Sequence, residues 1–379
     1  MTRASVTAAL LLLTPACSDG TEDGTSTGTP GTTSSGTGAG SSTGDPEPPN
    51  DGALLEVDVP AAGRVFLHLA TPEIVVPEGD GAASTDWDLA LSGYDVFTNS
   101  GLSGPGDGGA LPIGLDDYRA GDLPSTPFLL TDDSGGAFSR WYAYDGEEHV
   151  AFSRYHVHAI EHEGRYWKLQ ISSFYGEVNG TPVTALYQLR YAEVLPDGSG
   201  PTVEIQDLDA TAGGIDAVET EPSACLDLAG NRQLMLTPEE ARASTDWNVC
   251  FRRSLVSVNG ELGGPGTTRA ADLQAEASAS EELADVKART AASEQARFDA
   301  ADHAALTDPA VPYRGDHIAT AFTGRWLEPG ATPPAPAKDA AWLVQSADGV
   351  SRFVIVIERF EGATEASPGR VRMRVKQVE

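Results

Sequence analysis

Ser84-Thr85-Asp86-Trp87 returns 160 positions later as Ser244-Thr245-Asp246-Trp247. At the same spacing Val96 meets Val256, Asn99 meets Asn259, Leu102 meets Leu262, and Gly104-Pro105-Gly106 meets Gly264-Pro265-Gly266. Upstream the match is partial: Leu67, Leu69, Ile74 and Val76 fall opposite Asp227, Ala229, Leu234 and Leu236. Further on the spacing becomes 185. Arg140-Trp141 then matches Arg325-Trp326, Gly164 matches Gly349, Leu169 and Ile171 match Val354 and Val356, and Tyr175 matches Phe360. Two constant offsets with one jump are the mark of a duplicated unit. The repeats run over residues 53–200 and 201–379 and read as tandem domains, the second carrying about 25 extra residues, the difference between the two offsets.

Both copies read as β. Arg165-Tyr166-Trp167-Lys168-Leu169-Gln170-Ile171 and Phe353-Val354-Ile355-Val356-Ile357 are aromatic and β-branched runs that follow turn glycines. From Arg370 to Val378 the sequence alternates, with Val371, Met373 and Val375 on one face and Arg370, Arg372, Arg374 and Lys376 on the other. Such a basic face reads as solvated, or as protection for an edge strand. The extra residues fall between Gly266 and Arg325. There, from about 269 to 306, the chain is rich in Ala and Glu and reads as one or two surface helices, a solvated decoration of copy two. The expected fold class is all-β: two tandem antiparallel β-sheet domains, the second with a helical insertion.

Charge and length narrow the function. The chain has 379 residues and 56 acidic against 25 basic side chains, a formal charge of −31. That balance argues against nucleic-acid binding, which needs a basic footprint, and against attraction to an anionic membrane surface. Residues 18–52 are almost wholly Gly, Ser, Thr, Pro and acids, a composition that cannot bury enough apolar surface to offset its ordering entropy. Ahead of them, Arg3 and the apolar run Ala4 to Leu13 have the form of a signal peptide over residues 1–16. Thr14-Pro15-Ala16-Cys17 resembles the lipobox of bacterial lipoproteins, which implies cleavage before Cys17 and lipidation of that residue. Ser18 after the cysteine favours the outer membrane over inner-membrane retention. The expected organisation is a signal (1–16), a lipid-anchored tether (17–52) and the two repeats.

Within copy one, Asp86-Trp87-Asp88-Leu89-Ala90-Leu91 leads to Tyr94-Asp95-Val96, Thr98-Asn99-Ser100-Gly101 and a glycine-rich stretch to Gly109. Gly164 to Gln170, followed by Ser173-Phe174-Tyr175, forms a second signature. Together these resemble the HmuY-like haem-binding lipoproteins, more weakly so in copy two. The resemblance implies an all-β surface lipoprotein of the cell envelope that captures haem b and hands it to an outer-membrane receptor in iron acquisition. Axial histidines in that family lie between the signatures. Here the candidates are His149, His156 and His158, with Pro334, Ala341 and Leu343 at the corresponding places of copy two.

On a strand His156, His158 and His162 share a face, with i,i+2 neighbours about 6.6 Å apart. Two of them could chelate a transition-metal ion, but bis-His haem ligation needs one of them and a group from the opposite side, such as His149. The competing readings are therefore haem capture through copy one, a non-catalytic interaction or structural lipoprotein that keeps the fold, and a metal binder at His156 and His158. His158-Ala159-Ile160-Glu161-His162 has the spacing of an inverted zinc-peptidase motif, but that chemistry needs a helix and this stretch reads as strand. Gly104 to Gly109 fits G-x-G-x-x-G, but no helix follows and Pro105 sits inside it. No catalytic residue and no enzyme activity is assigned.

Cys225 and Cys250 remain. Their copy-one equivalents are Val65 and Ala90, apolar positions on strands flanking a turn, and an exported protein meets an oxidising compartment. A Cys225–Cys250 disulfide is expected, two buried free thiols being the alternative.

Overall fold

The computed structural model describes residues 51–378 apart from 122, 125–126, 329–330, 332, 338 and 363–366. The expected signal, Cys17 and nearly all of the tether lie outside the described residues. Strands β1 (Ala53–Val59), β2 (Val65–His68), β3 (Glu73–Val75), β4 (Leu89–Ser92), β5 (Asp95–Thr98) and β6 (Gly109–Gly114) precede helix α1 (Leu115–Ala120) and β7 (Asp133–Gly135). Next come β8 (Tyr142–Asp145), β9 (Val150–Ser153), β10 (Val157–His162), β11 (Arg165–Val178), β12 (Thr181–Leu195), β13 (Gly198–Ser199) and β14 (Val203–Asp209). They are followed by β15 (Ser223–Asp227), β16 (Arg232–Leu236), α2 (Pro238–Ala243), β17 (Val249–Arg252), β18 (Leu255–Val258) and β19 (Arg269–Asp272). Helices α3 (Leu283–Ala288), α4 (Gln295–Ala300) and α5 (His303–Leu306) lead to β20 (His317–Ala319), β21 (Ala340–Gln345), β22 (Arg352–Glu361) and β23 (Gly369–Val378). Among the described residues strands hold 45%, the five helices are short, and every strand pair is antiparallel. The fold is all-β, as the sequence predicts.

The repeats, however, do not fold as domains 53–200 and 201–379: they exchange halves. One five-stranded sheet runs β1-β23-β22-β21-β6, so its outer strands come from copy one and its inner three from copy two. The other large sheet runs β13-β12-β11-β10-β19, with β14 also on β12, so copy one supplies its body and copy two its flanks. Two lobes result. In the outer lobe, Leu55, Val57, Val59, Leu67, Leu89 and Val96 pack on Trp342, Ile355, Met373 and Val375. In the central lobe, Ile160, Trp167, Leu169 and Tyr187 pack on Leu226, Leu228, Val249 and Val258. Two tryptophans record the exchange. Trp141 of copy one donates to the Ser254 carbonyl of copy two at 3.0 Å, and Trp326 of copy two donates to the Tyr94 carbonyl of copy one at 3.0 Å.

The crossover itself is the ladder of β7 on β20. Asp133, Ser134 and Gly135 face Ala319, Ile318 and His317. Equivalent strands of the two copies thus pair with each other about a pseudo-twofold axis near Ser134 and Ile318, the geometry of a domain swap contained in one chain. β1 pairs with β23 as β14 pairs with β12; pairing within a copy would satisfy the same backbone hydrogen bonds, which is why the sequence pattern alone does not separate a tandem from an exchange.

The repeated motif proves to be a staple of this scaffold. Asn99 donates from Nδ2 to the carbonyls of Ser84 (3.0 Å) and Trp87 (2.8 Å), while its Oδ1 accepts from Gly106 N at 3.0 Å. Asn259 repeats this on Ser244, Trp247 and Gly266. Trp87 and Trp247 donate to the carbonyls of Gly81 and Ala241, again 160 apart. The glycines are obligatory: a Cβ on Gly104 or Gly264 would lie 2.2 or 2.3 Å from the Asn99 or Asn259 Oδ1.

Pairing also shifts several equivalences by a residue. Asp88 N donates to Leu67 O and Asn248 N to Leu226 O, an upstream offset of 159 that matches Leu67 and Leu69 with Leu226 and Leu228. Cys225, which pairs with Cys250, therefore corresponds to Phe66, which pairs with Ala90, and not to Val65. The expected Cys225–Cys250 disulfide is present.

Two further expectations change. β23 is not an edge strand, since β1 lies alongside it; its basic face is solvated as expected, exposed to half-buried, and Arg370, Arg372, Arg374 and Lys376 meet Asp58, Glu56, Glu358 and Asp51 there. The insert begins as strand β19, and its short helices bury Val286, Phe298 and Leu306. Phe298, Ala301 and Leu306 pack on Val157, Ala159, Ala192 and Val194. Far from a solvated decoration, the insert covers the second face of the central lobe's large sheet.

Candidate functional site

That placement governs the candidate histidines. β10 is sandwiched between the core and the insert, so His156 and His158 are each only 1% exposed. His158 faces Asp272 across the β10–β19 ladder, which puts both on one face. Asp272 Oδ2 also lies 2.8 Å from His156 Nδ1. The structure thus gathers His156 and His158 around Asp272. His149 does not join them. It is exposed in the β8–β9 turn, in a left-handed conformation with φ 57°, and its Nδ1 lies 3.0 Å from the Tyr144 hydroxyl.

His156 is engaged at both ring nitrogens. Its Nε2 lies 3.1 Å from Glu281 Oε1, on the insert. Glu281 is also held by Arg154 (2.6 Å) and Arg289 (2.7 Å), and Arg289 reaches back to the Arg154 carbonyl at 2.7 Å. Burial alone would raise Glu281, but the hydrogen bonds from Arg289, Arg154 and His156 outweigh it and hold the carboxyl at about 2. Asp272 is lowered in the same way, burial being outweighed by the hydrogen bond to His156 and the charge of both histidines. Tyr155, between Arg154 and His156, has φ 52°, an uncommon conformation for a bulky residue. Arg289 and Arg297 donate to the carbonyls around it. The arrangement is a buried polar weld between the insert and the entry to β10.

His158 occupies a core position. It stacks on Phe138 at a centroid distance of 4.1 Å, as Trp342 stacks on Phe322 at 5.0 Å. Both stacks stand at an offset of 184, so His158 corresponds to Trp342 and His156 to Ala340, not to Leu343 and Ala341. The strand registers agree: His158 faces Leu169 while Trp342 faces Ile355. Burial pushes His158 down to about 4, aided by His156 and opposed by Asp272 and the Ala137 carbonyl. Its Nδ1 has no hydrogen-bond partner among the described residues. His162 lies near the Thr268 hydroxyl, 3.2 Å from its Nδ1.

As arranged, this cluster ties elements together and leaves neither buried histidine a free face toward a planar cofactor. Among the described residues no group of three or more His, Cys, Asp and Glu is placed to hold a metal ion. A described depression of about 410 Å³ lies at the other end of β10 and is lined by Glu161, Glu163, Glu261, Thr267, Thr268 and Arg269 with glycine backbone. It is open, and contains none of the three candidate histidines. Sequence reasoning missed Asp272, Glu281, Arg154 and Arg289. For Asp272, Glu281 and Arg289 the only signal was the run of charges in the insert, which reads equally well as a solvated face; Arg154, ahead of β10, carried none.

Compared with known proteins, the chain matches no family model and no curated protein.

Proposed function

We propose that this chain is a lipid-tethered envelope protein of HmuY-like type that acts through surface interaction and does not hold haem at His156 and His158. One observation carries the reading: His156 has both nitrogens against carboxylates beneath the insert, while its neighbour His158 fills a core stack. An axial ligand needs an accessible nitrogen lone pair, and opening this site would break the ion pairs of Glu281 and leave buried charges unpaired, a cost of several kcal/mol. The signature residues Trp87, Asn99, Gly104 and Gly106 in the outer lobe, and Trp247, Asn259, Gly264 and Gly266 in the central lobe, have the same structural work, which supports a role for the motif in the scaffold. The lipobox-like Thr14 to Cys17 supports anchoring, and the charge of −31 supports solubility and repulsion at a cell surface.

The test is a haemin titration of the chain from residue 18, followed in the Soret band. The expected result is no saturable shift. A saturable 1:1 shift abolished by combined His149→Ala, His156→Ala and His158→Ala substitutions would overturn the proposal in favour of haem capture by those residues.

A further inference from the structure

Asp132 and Asp316 stand 184 positions apart, each immediately before a crossover strand. Asp132 is buried, and its carboxylate accepts from Thr98 N at 3.0 Å and Thr98 Oγ1 at 2.8 Å. Asp316 accepts from Val258 N at 3.1 Å, the position 160 after Thr98. The backbone carbonyls of the same two residues accept from Leu102 N and Leu262 N. Each aspartate therefore fastens the loop after β5 or β18 to the point where the chain changes lobe. A Cβ on Gly136 or Gly263 would come within 2.6 or 2.5 Å of the Asp316 carboxylate, so the chain passes close against it.

Few charges answer them. Arg64 faces Asp132 but is shared with Asp95 and Asp80, and it donates to the Ser103 carbonyl at 3.0 Å. Asp316 faces Glu261, which is itself paired with Arg314 and lies beside His317, while Arg314 also holds Asp95. Among the described residues neither aspartate forms an ion pair.

We propose that Asp132 and Asp316 make the crossover proton-sensitive, each taking up a proton as the medium turns acidic and so tightening the joint between the lobes. A protonated carboxyl keeps an oxygen to accept the backbone N–H and gains an O–H donor. Burial raises Asp132 to about 6 against the hydrogen bonds from Thr98. Burial also raises Asp316 to about 7 against those from Val258 and Ser257. The folded values lie above the ordinary 3.8, so the folded chain binds these protons preferentially. The added stability is complete below about pH 4 and is lost as pH rises through 6 and then 7.

Urea unfolding of the chain from residue 18 between pH 8 and pH 5 tests this, for wild type, Asp132→Asn, Asp316→Asn and the double variant. Asparagine keeps the accepting oxygen and cannot titrate. Relative to the double variant, the wild-type folding constant should rise on acidification by about tenfold between pH 7 and 6. Between pH 6 and 5 it should rise by up to about a hundredfold, one proton for each carboxylate. Referring wild type to the variant cancels the other titrating groups. Parallel pH profiles overturn the proposal. Should the variants fail to fold, side-chain carboxyl NMR of the wild type decides: titration of both groups below pH 4.5 overturns it, and midpoints above 5.5 support it.

Discussion

Cutting the chain between its repeats should fail to separate them. A protease site inserted between Pro201 and Thr202, both exposed, lets the folded protein be cleaved after purification. The two fragments then correspond to the sequence repeats, and the Cys225–Cys250 disulfide lies wholly within the second, so no covalent bond joins them. What remains is the shared core. In the outer lobe the first fragment contributes Leu55, Val57, Val59, Leu67, Leu69, Leu89, Leu91 and Val96 to a core whose other half is copy two. In the central lobe the second fragment contributes Ile205, Leu208, Leu226, Leu228, Val249, Phe251, Val256 and Val258. Burial at about 1.5–3 kcal/mol for each such side chain gives a gross attraction of roughly 24–48 kcal/mol, an upper bound in an extended-chain reference. Association costs about 4–15 kcal/mol; in this reference the smaller burial figure less the larger cost is about 9 kcal/mol, which corresponds to a Kd below about 1 μM. Size-exclusion chromatography of the cut protein at a few micromolar should give one species of uncut size, with both fragments released only in denaturant. Two separate species of half size, each with a strand-rich circular dichroism spectrum, would refute the exchange of halves and restore the tandem reading.

Other expectations follow from individual contacts. Replacing Cys225 and Cys250 by Ser should lower stability by about 3.5 kcal/mol, the loop-closure value for their 25-residue separation, read from urea melts. Asn99→Ala and Asn259→Ala should each cost about 2–4 kcal/mol, because each strips one acceptor and two donors from buried backbone groups. The two penalties should agree closely, since the two networks are alike. His158→Phe should flatten the acid limb of stability. The folded His158 resists protonation down to about 4, so stability present above pH 6.5 is lost as pH falls toward 4, on the order of 3 kcal/mol, and phenylalanine removes that loss. Melting at pH 7 and pH 5 for both proteins measures it.

Much of this molecule is legible in its sequence, and the limits have physical causes. The duplication, the strand class and the disulfide all rest on local patterns: identical motifs, β-branched runs, and cysteines on neighbouring strands. Partner choice is another matter. A strand such as β1 offers the same hydrogen bonds to either copy's equivalent of β23, so no periodicity distinguishes a tandem from an exchange. Register slips through alignment for a related reason. The β10–β11 turn is shorter than the β21–β22 turn, and a single offset of 185 cannot follow both, which is why His158 was matched to Leu343 and not to Trp342. The site was harder still. Alternation in His156-Val157-His158-Ala159 marks a strand, but burial on both faces depends on the insert, whose one telling signal is Phe298, the only aromatic in its helical stretch.

The crossover also determines how the molecule bears load. The segment expected to tether the protein leads into β1, an edge strand of the outer lobe, and the C-terminal strand β23 lies beside it. Both ends of the chain therefore leave from the same lobe. The central lobe is entered and left through one three-residue ladder, β7 on β20. Were the chain held at a membrane by the proposed tether, a pull along it would be resisted first by the hydrogen bonds of β1 on β23, with the central lobe outside the path of the force. Under such a load the outer lobe would serve as the bracket, and the lobe closed by the insert would be the part carried free of strain.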